Sequence, residues 1–321
     1  MHTSRRKVAA GPTIPAMAWV DRDTTVRTAA FAWLSDQVRL HGSEVLPRAL
    51  LASGFDYEGR RVPIVGPQGI FKPAALPEVP LSILTVPPVE GREAPYEDGW
   101  TAEGLMYRYR GTDPNHPDNV GLRRAMERQV PLIYLYGLVP GQYMAIWPVY
   151  VVADDPVLHA FTVQADDPGI LRGDILLDSS DDLRRAYALR AVRQRLHQHS
   201  FRQRVLRAYQ TTCSVCHLRH EQLLDAAHIL PDGHPQGRPV VPNGLALYKI
   251  HHAAFDANIM GIRPDYSIEI RPDVLVEIDG PMLLYGLQAV HNQRIVVPRA
   301  VPLRPSVAFL EERYGLFRKA G

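Results

Sequence analysis

Between Thr211 and Ile262 the chain reads TTCSVCHLRHEQLLDAAHILPDGHPQGRPVVPNGLALYKIHHAAFDANIMGI, and no other stretch constrains its fold as tightly. Leu223 to Ile229 is an apolar run interrupted at Asp225 and ending around His228, which predicts a short strand. Asn243-Gly244 falls on the strand that would return beside it. His252 to Asp256 then opens a helix, and residues four apart share a helical face, so both side chains can address one ion. A lone histidine at a strand end is ordinarily a satisfied core residue. The ordered set is what points to chemistry.

In this order the residues resemble the HNH nuclease family, whose fold is a β-hairpin followed by a helix around one catalytic metal. The resemblance implies that His228 is the general base, taking a proton from the water that attacks phosphorus. A neutral imidazole has the right basicity for that near neutral pH. It implies that Asn243 anchors the loop or orients His228, and that His252 belongs to both the catalytic and the metal-binding set. Many family members place an Asp or His ligand directly before the catalytic histidine, where this chain has Ala227. Asp225 shares the strand face of Ala227 and is expected to fill the gap. The expected metal ligands are therefore Asp225, His252 and Asp256, a donor set suited to Mg²⁺ or Mn²⁺, with Ni²⁺ or Co²⁺ as substitutes.

Cys213 and Cys216 are the only cysteines, too few for a disulfide framework. They resemble half of the zinc knuckle found around many HNH hairpins. A structural zinc takes four ligands, and where a second cysteine pair would lie the chain reads Leu247-Tyr248-Lys249-Ile250-His251. His217, His220 or His251 could complete a site; reduced, unligated thiols are the alternative.

The chain has 321 residues, 46% of them hydrophobic and 22% charged, a globular balance long enough for two or three cores. Its net charge is only +2, yet Leu183 to His220 holds nine arginines and no acidic residue. A helix is expected there, capped by Asp181-Asp182, with a field that attracts phosphate backbones. A solvated helix face is the plainer alternative. The N-terminus is cut by Pro12 and Pro15 and lacks the apolar core of a secretory signal. Pro131 to Ala153 is uncharged, but Pro140-Gly141 and Pro148 split it into pieces rich in Tyr, Ile and Val. It predicts buried strands, not a membrane span, in a soluble cytoplasmic protein.

Upstream, Thr24 to Leu40 carries a helical stripe, Pro47 to Ala52 a short helix and Phe55 to Val65 a hairpin, the order of a winged helix. Seven prolines between Gly66 and Pro95 suggest extended chain and a boundary near residue 80. Tyr96 to Ala153 is β-rich. Tyr96-x-Asp98, Tyr107-Arg108-Tyr109-Arg110-Gly111, Asp118-Asn119 and Pro131-Leu-Ile-Tyr134 resemble the SRA domain, a PUA-like barrel that grips modified cytosine. The resemblance implies that Tyr96 and Tyr109 sandwich a flipped base, with Tyr107 the alternative to Tyr109. Asp98 would accept a hydrogen bond from the cytosine amino group.

The expected fold class is α+β: a helical, winged-helix-like domain over 1–79, an SRA-like modified-base-binding barrel over 80–178, and an arginine-rich helix with a ββα-metal HNH domain over 179–321. The expected activity is hydrolysis of double-stranded DNA carrying 5-methylcytosine or 5-hydroxymethylcytosine, by a homodimer. An HNH nuclease indifferent to modification and a non-catalytic DNA-binding module remain the alternatives.

Overall fold

The computed structural model describes residues 16–87, 99–101, 104–165 and 181–320. The chain divides into two compact units, one drawn from residues before 190 and the other chiefly Arg190–Gly321.

The first unit is mixed α and β. It opens with α1 (Ala16–His41), β1 (Val45–Pro47), α2 (Arg48–Ser53) and a hairpin of β2 (Phe55–Tyr57) and β3 (Arg60–Val62). There follow β4 (Ile70–Phe71), β5 (Ser82–Thr85), β6 (Gly99–Trp100), β7 (Leu105–Arg108), α3 (Pro117–Glu127), β8 (Leu132–Val139), β9 (Gln142–Asp155) and β10 (Ala160–Ala165). The sheet runs β4-β5-β8-β9-β10-β7-β6, with β1 paired to β9 beside it. It is a curled half-barrel. Among the described residues it does not close, since β4 and β6 stand at its two ends. β5 and β8 run parallel, while β9, β10, β7 and β6 pair antiparallel in turn. The uncharged run expected to form strands becomes β8 and β9, with Gly141 taking a positive φ at the turn between them. No described helix is long and apolar enough to cross a membrane.

The elements expected over residues 24–65 occur in order, but the core does not break at residue 80. Val26, Ala30 and Leu34 of α1 share one apolar cluster with Leu46, Phe55 and Val62, and with Ile133, Leu135 and Tyr143 of the sheet. Arg27 ties the same parts together. It is 2% exposed, pairs with Asp23, and donates to the carbonyls of Pro80 at 2.9 Å and Pro131 at 3.0 Å. A buried cation persists only where such partners replace water. The helix, the segment around residue 80 and the start of β8 are thus one packed body.

The second unit begins within α4 (Asp181–Ala208), the expected arginine helix, and continues with β11 (Leu224–His228), β12 (Gly244–Tyr248), α5 (Lys249–Asp256), β13 (Met260–Ile262) and β14 (Ile268–Ile270). α6 (Pro272–Leu275), α7 (Pro281–Gly286) and α8 (Val307–Ala320) complete it. α6 is a single turn followed by exposed chain. Pro272 sits at the first helical position and Asp273 in the first turn, both of which favour a helix start. The core gathers Phe201, Val205 and Tyr209 of α4 against the β11–β12 hairpin, Phe255 of α5, β13, β14 and Leu310 of α8. Arg313 of α8 donates to the Phe255 carbonyl at the end of α5 and lies over its ring at 4.6 Å, a cation where the helix dipole favours one.

Replacing Arg27 with Leu strands Asp23 and the carbonyls of Pro80 and Pro131. The expected cost is about 3 kcal/mol of unfolding free energy, measured as a lowered urea midpoint. Circular dichroism and tryptophan fluorescence should still report one shared transition for this unit.

Candidate active site

The β11–β12 register sets the geometry. Leu224 lies opposite Tyr248, Asp225 opposite Leu247 and His228 opposite Gly244. Leu224 and Ala227 are fully buried, while Asp225 and His228 are half-exposed, Asp225 beside His252 of α5 and His228 against Phe201 of α4. α5 starts directly after β12, so His251 and His252 leave one helical turn about 100° apart and serve different centres.

His252 faces outward between two carboxylates. Its Nδ1 lies 3.5 Å from Asp225 Oδ2 and its Nε2 3.3 Å from Asp256 Oδ2. The Asp225 carboxylate raises the pKa of His252 most, with burial opposing and Asp256 assisting. In return His252 holds the Asp225 carboxyl below its ordinary range, and Lys249 and Arg202 add to that. Asp225 and Asp256 thus flank His252 on its two sides, without all three forming a group whose ligand atoms lie within 4.8 Å of one another. The carboxylates address opposite ring nitrogens, so an ion on one nitrogen is shared with one of them while the other braces the ring.

His228 stacks on Phe201, with ring centroids 3.9 Å apart and planes at 18°. Asp232 Oδ1 is 3.0 Å from its Nε2, yet it is off the hydrogen-bonding line, and the buried Nε2 has no hydrogen-bond partner among the described residues. Burial is the largest influence on His228 and pushes its pKa down; Asp232 and Asp256 oppose this, and His252 adds to it. The net shift favours the neutral ring, the state a proton acceptor needs.

Asn243 is fully buried and touches no imidazole. Its Oδ1 accepts from the Leu230 amide at 2.9 Å, while its Nδ2 donates to the carbonyls of Leu230 at 3.0 Å and Arg238 at 3.1 Å. Of the two jobs expected for it, loop anchor is the one it performs. That corrects its place in the catalytic set: it positions the loop between the strands and does not reach a reacting atom.

A second cluster lies on the inner side of α5. Ligand atoms of Cys213, Cys216 and His251 fall within 4.8 Å of one another. His251 Nε2 is 2.8 Å from the Gly286 carbonyl, which as an N–H donor leaves the Nδ1 lone pair facing Cys213 at 3.5 Å. The amides of Val215, Cys216 and Tyr248 point at Cys213 Sγ at 3.4, 3.5 and 3.2 Å. The Cys216 thiol most of all, then His251 and those amides, hold Cys213 down to about 4 against the effect of burial. Two thiols and an oriented imidazole make a group that could hold a metal ion. His217 and His220, the other candidates, are exposed and do not join the cluster.

In the first unit, Tyr96 and Asp98 lie outside the described residues. Tyr109 is 1% exposed, and its ring packs 4.7 Å from Phe161 with His159 against its edge. Its hydroxyl bonds Asp154, which Arg123 Nε also holds at 2.7 Å. Neither face is open to a base, so in this structure Tyr109 is a core residue and not half of a sandwich. Tyr107 is 5% exposed and no better placed. Asn119 clamps the loop after β7 through the backbone of Arg110 and Asp113.

Sequence reasoning missed Phe201, because spacing along α4 marks it only as apolar. It also assigned the arginines collectively to phosphate. Arg202 Nη2 donates to the carbonyls of Glu221 at 2.7 Å and Leu224 at 2.8 Å, and Arg204 Nη2 to Pro239 at 2.8 Å. These two brace the hairpin, whereas Arg190, Arg193 and Arg207 are exposed.

The hairpin and helix thus bring Asp225 and Asp256 to the two sides of His252, with His228 on the same hairpin. Residues 213–263 match the model of a family described as HNH endonuclease, and this segment is an HNH endonuclease domain. No curated protein matches the chain. Among solved structures, a chain titled "Modification dependent TagI restriction endonuclease" is 16% identical, with 74% of this chain and 82% of that chain covered at a TM-score of 0.28. A TM-score of that size does not establish a shared fold.

Replacing Asn243 with Ala leaves the Leu230 amide and two carbonyls without their partner. The expected cost is about 1–3 kcal/mol, with faster amide exchange at Leu230 and protease cutting between residues 229 and 243.

Proposed function

We propose that the chain is a modification-dependent DNA endonuclease, cutting with the HNH domain and reading 5-methylcytosine or 5-hydroxymethylcytosine with the first unit. The observation that carries the cutting half is the meeting of Asp225, His252 and Asp256 beside His228 within the segment that matches the HNH family. In this reading His228 accepts the proton of the attacking water as the phosphorus–oxygen bond to the leaving group breaks. His252 and one of its flanking carboxylates, Asp225 or Asp256, would hold one divalent cation while the other braces the ring; Mg²⁺ or Mn²⁺ fits, with Ni²⁺ or Co²⁺ able to substitute. Bound there, the cation supplies polarisation of the scissile phosphate and stabilisation of the departing oxygen. Exposed Arg190, Arg193 and Arg207 are suited to contact the phosphate backbone. Cys213, Cys216 and His251 hold a structural zinc that ties β12 and α5 to the start of the domain.

The reading half rests on the SRA resemblance of Tyr96, Asp98 and the residues after them. Flipping a base costs a few kcal/mol, and Tyr96 stacking with Asp98 accepting from the amino group would recover part of it. The stacking partner opposite Tyr96 is a residue other than Tyr109. Because a single-metal site addresses one strand, a homodimer is the assembly proposed for duplex cleavage.

The test is a digest of plasmid with and without cytosine methylation, in Mg²⁺, Mn²⁺ and EDTA. Methylated plasmid alone should be cut, EDTA should stop cutting, and His228→Ala should lower the rate by at least about 100-fold with DNA binding retained. Equal cutting of both plasmids would remove the modification requirement. Full cutting by His228→Ala would fell the base assignment, and binding of DNA with neither plasmid cut by the wild type would favour a scaffold that binds without cutting.

A further inference from the structure

The residue expected to orient the base is occupied elsewhere: both amide hydrogens of Asn243 go to backbone carbonyls. Every side-chain hydrogen bond shown for Asn243 goes to the backbone of Leu230 and Arg238. Asp232 is near His228 Nε2, but its side chain is 63% exposed and makes no hydrogen bond to the ring. What the imidazole does rest on is Phe201.

We infer that Phe201 is the positioning residue for His228, and that Gly244 is glycine to make room for it. This rests on His228 being the base. The two rings stack at 3.9 Å and 18°, and Phe201 is 2% exposed, so it cannot swing aside into solvent. Gly244 is the cross-strand partner of His228. Directly opposed residues of an antiparallel pair project to the same face. A Cβ at Gly244 would stand 2.9 Å from Phe201 Cζ and 2.4 Å from Val205 Cγ2, closer than packed carbons approach. The space a side chain would take across from the base is therefore filled by the aromatic ring of α4.

α4 is itself pinned where this matters. Arg202, the next residue, donates to the carbonyl of Leu224, where the strand bearing His228 begins. Arg204 reaches the Pro239 carbonyl in the loop that Asn243 anchors. Phe201 thus sits on a helix fastened to both the strand and the loop on either side of His228. A flat, immobile ring restricts imidazole tilt without taking either nitrogen, leaving both free for proton transfer and for hydrogen bonding in the substrate complex. Such restraint matters because a misplacement of order 1 Å at a reacting group costs about 100-fold in rate.

The test compares Phe201→Leu, which keeps apolar bulk and removes the flat face, with Val205→Ala, which opens the same core without touching the imidazole. Cleavage is followed at saturating Mn²⁺ on the DNA that the wild type cuts, beside His228→Ala, and His228 ring-proton resonances are recorded in histidine-labelled protein. Phe201→Leu should lower kcat by about 10- to 100-fold with KM and Mn²⁺ affinity within about two-fold. It should also abolish the ring-current shift of His228. Val205→Ala should lower the melting temperature but leave kcat within about two-fold. The inference is overturned if Phe201→Leu keeps wild-type kcat while His228→Ala abolishes cutting, or if Val205→Ala loses as much rate as Phe201→Leu. Intact cleavage in His228→Ala would fell the base assignment instead, and an unshifted His228 resonance in Phe201→Leu would separately show that the stack does not hold the ring.

Discussion

The register of one five-residue hairpin governs the second unit. With His228 opposite Gly244 and Asp225 opposite Leu247, side chains alternate across the hairpin, so His228 stacks on Phe201 of α4 while Asp225 lies beside His252 of α5. A slip of one residue would exchange those faces, taking His228 from Phe201 and Asp225 from His252. Two interactions oppose such a slip. Asn243 closes the loop through three hydrogen bonds to its backbone, and α4 fills the space that only a glycine at position 244 leaves open.

The same hairpin explains how adjacent histidines come to separate duties. α5 begins without a connecting loop, so the helical rotation of about 100° per residue turns His251 inward to Cys213 and His252 outward to Asp225 and Asp256. His251 is 2% exposed and its Nε2 is committed to the Gly286 carbonyl, which fixes the nitrogen left for a metal. The inner cluster joins the start of the domain to α5 and so helps set the position of the helix that carries His252.

The first unit obeys a different constraint. Its N-terminal helix has no core of its own, because Val26, Ala30 and Leu34 complete the apolar cluster of the sheet and Arg27 satisfies carbonyls on either side of residue 80. Proline-rich chain of the kind that separates domains here crosses the middle of one. Prolines mark extended backbone, and extended backbone borders a core as readily as it links two.

The layout of the hairpin and helix was legible in the amino-acid order. That Asp225 and Asp256 would lie beside His252 could be read because residues two apart on a strand or four apart on a helix share a face, and those periods belong to the local backbone. The strands of β8 and β9 and the span of α4 were legible for the same reason. Tyr109 was misread because an aromatic residue after a strand looks alike whether it faces a ligand or Phe161; only packing distinguishes them. Phe201 and Gly286 left no local mark, since their contacts to His228 and His251 span long stretches of chain. Sequence alone determined which side chains could share a face, because that follows from backbone geometry over a few residues. Tertiary structure decided which faces meet, which arginines brace carbonyls, and what supports the imidazole, because those contacts exist only once distant segments are packed together.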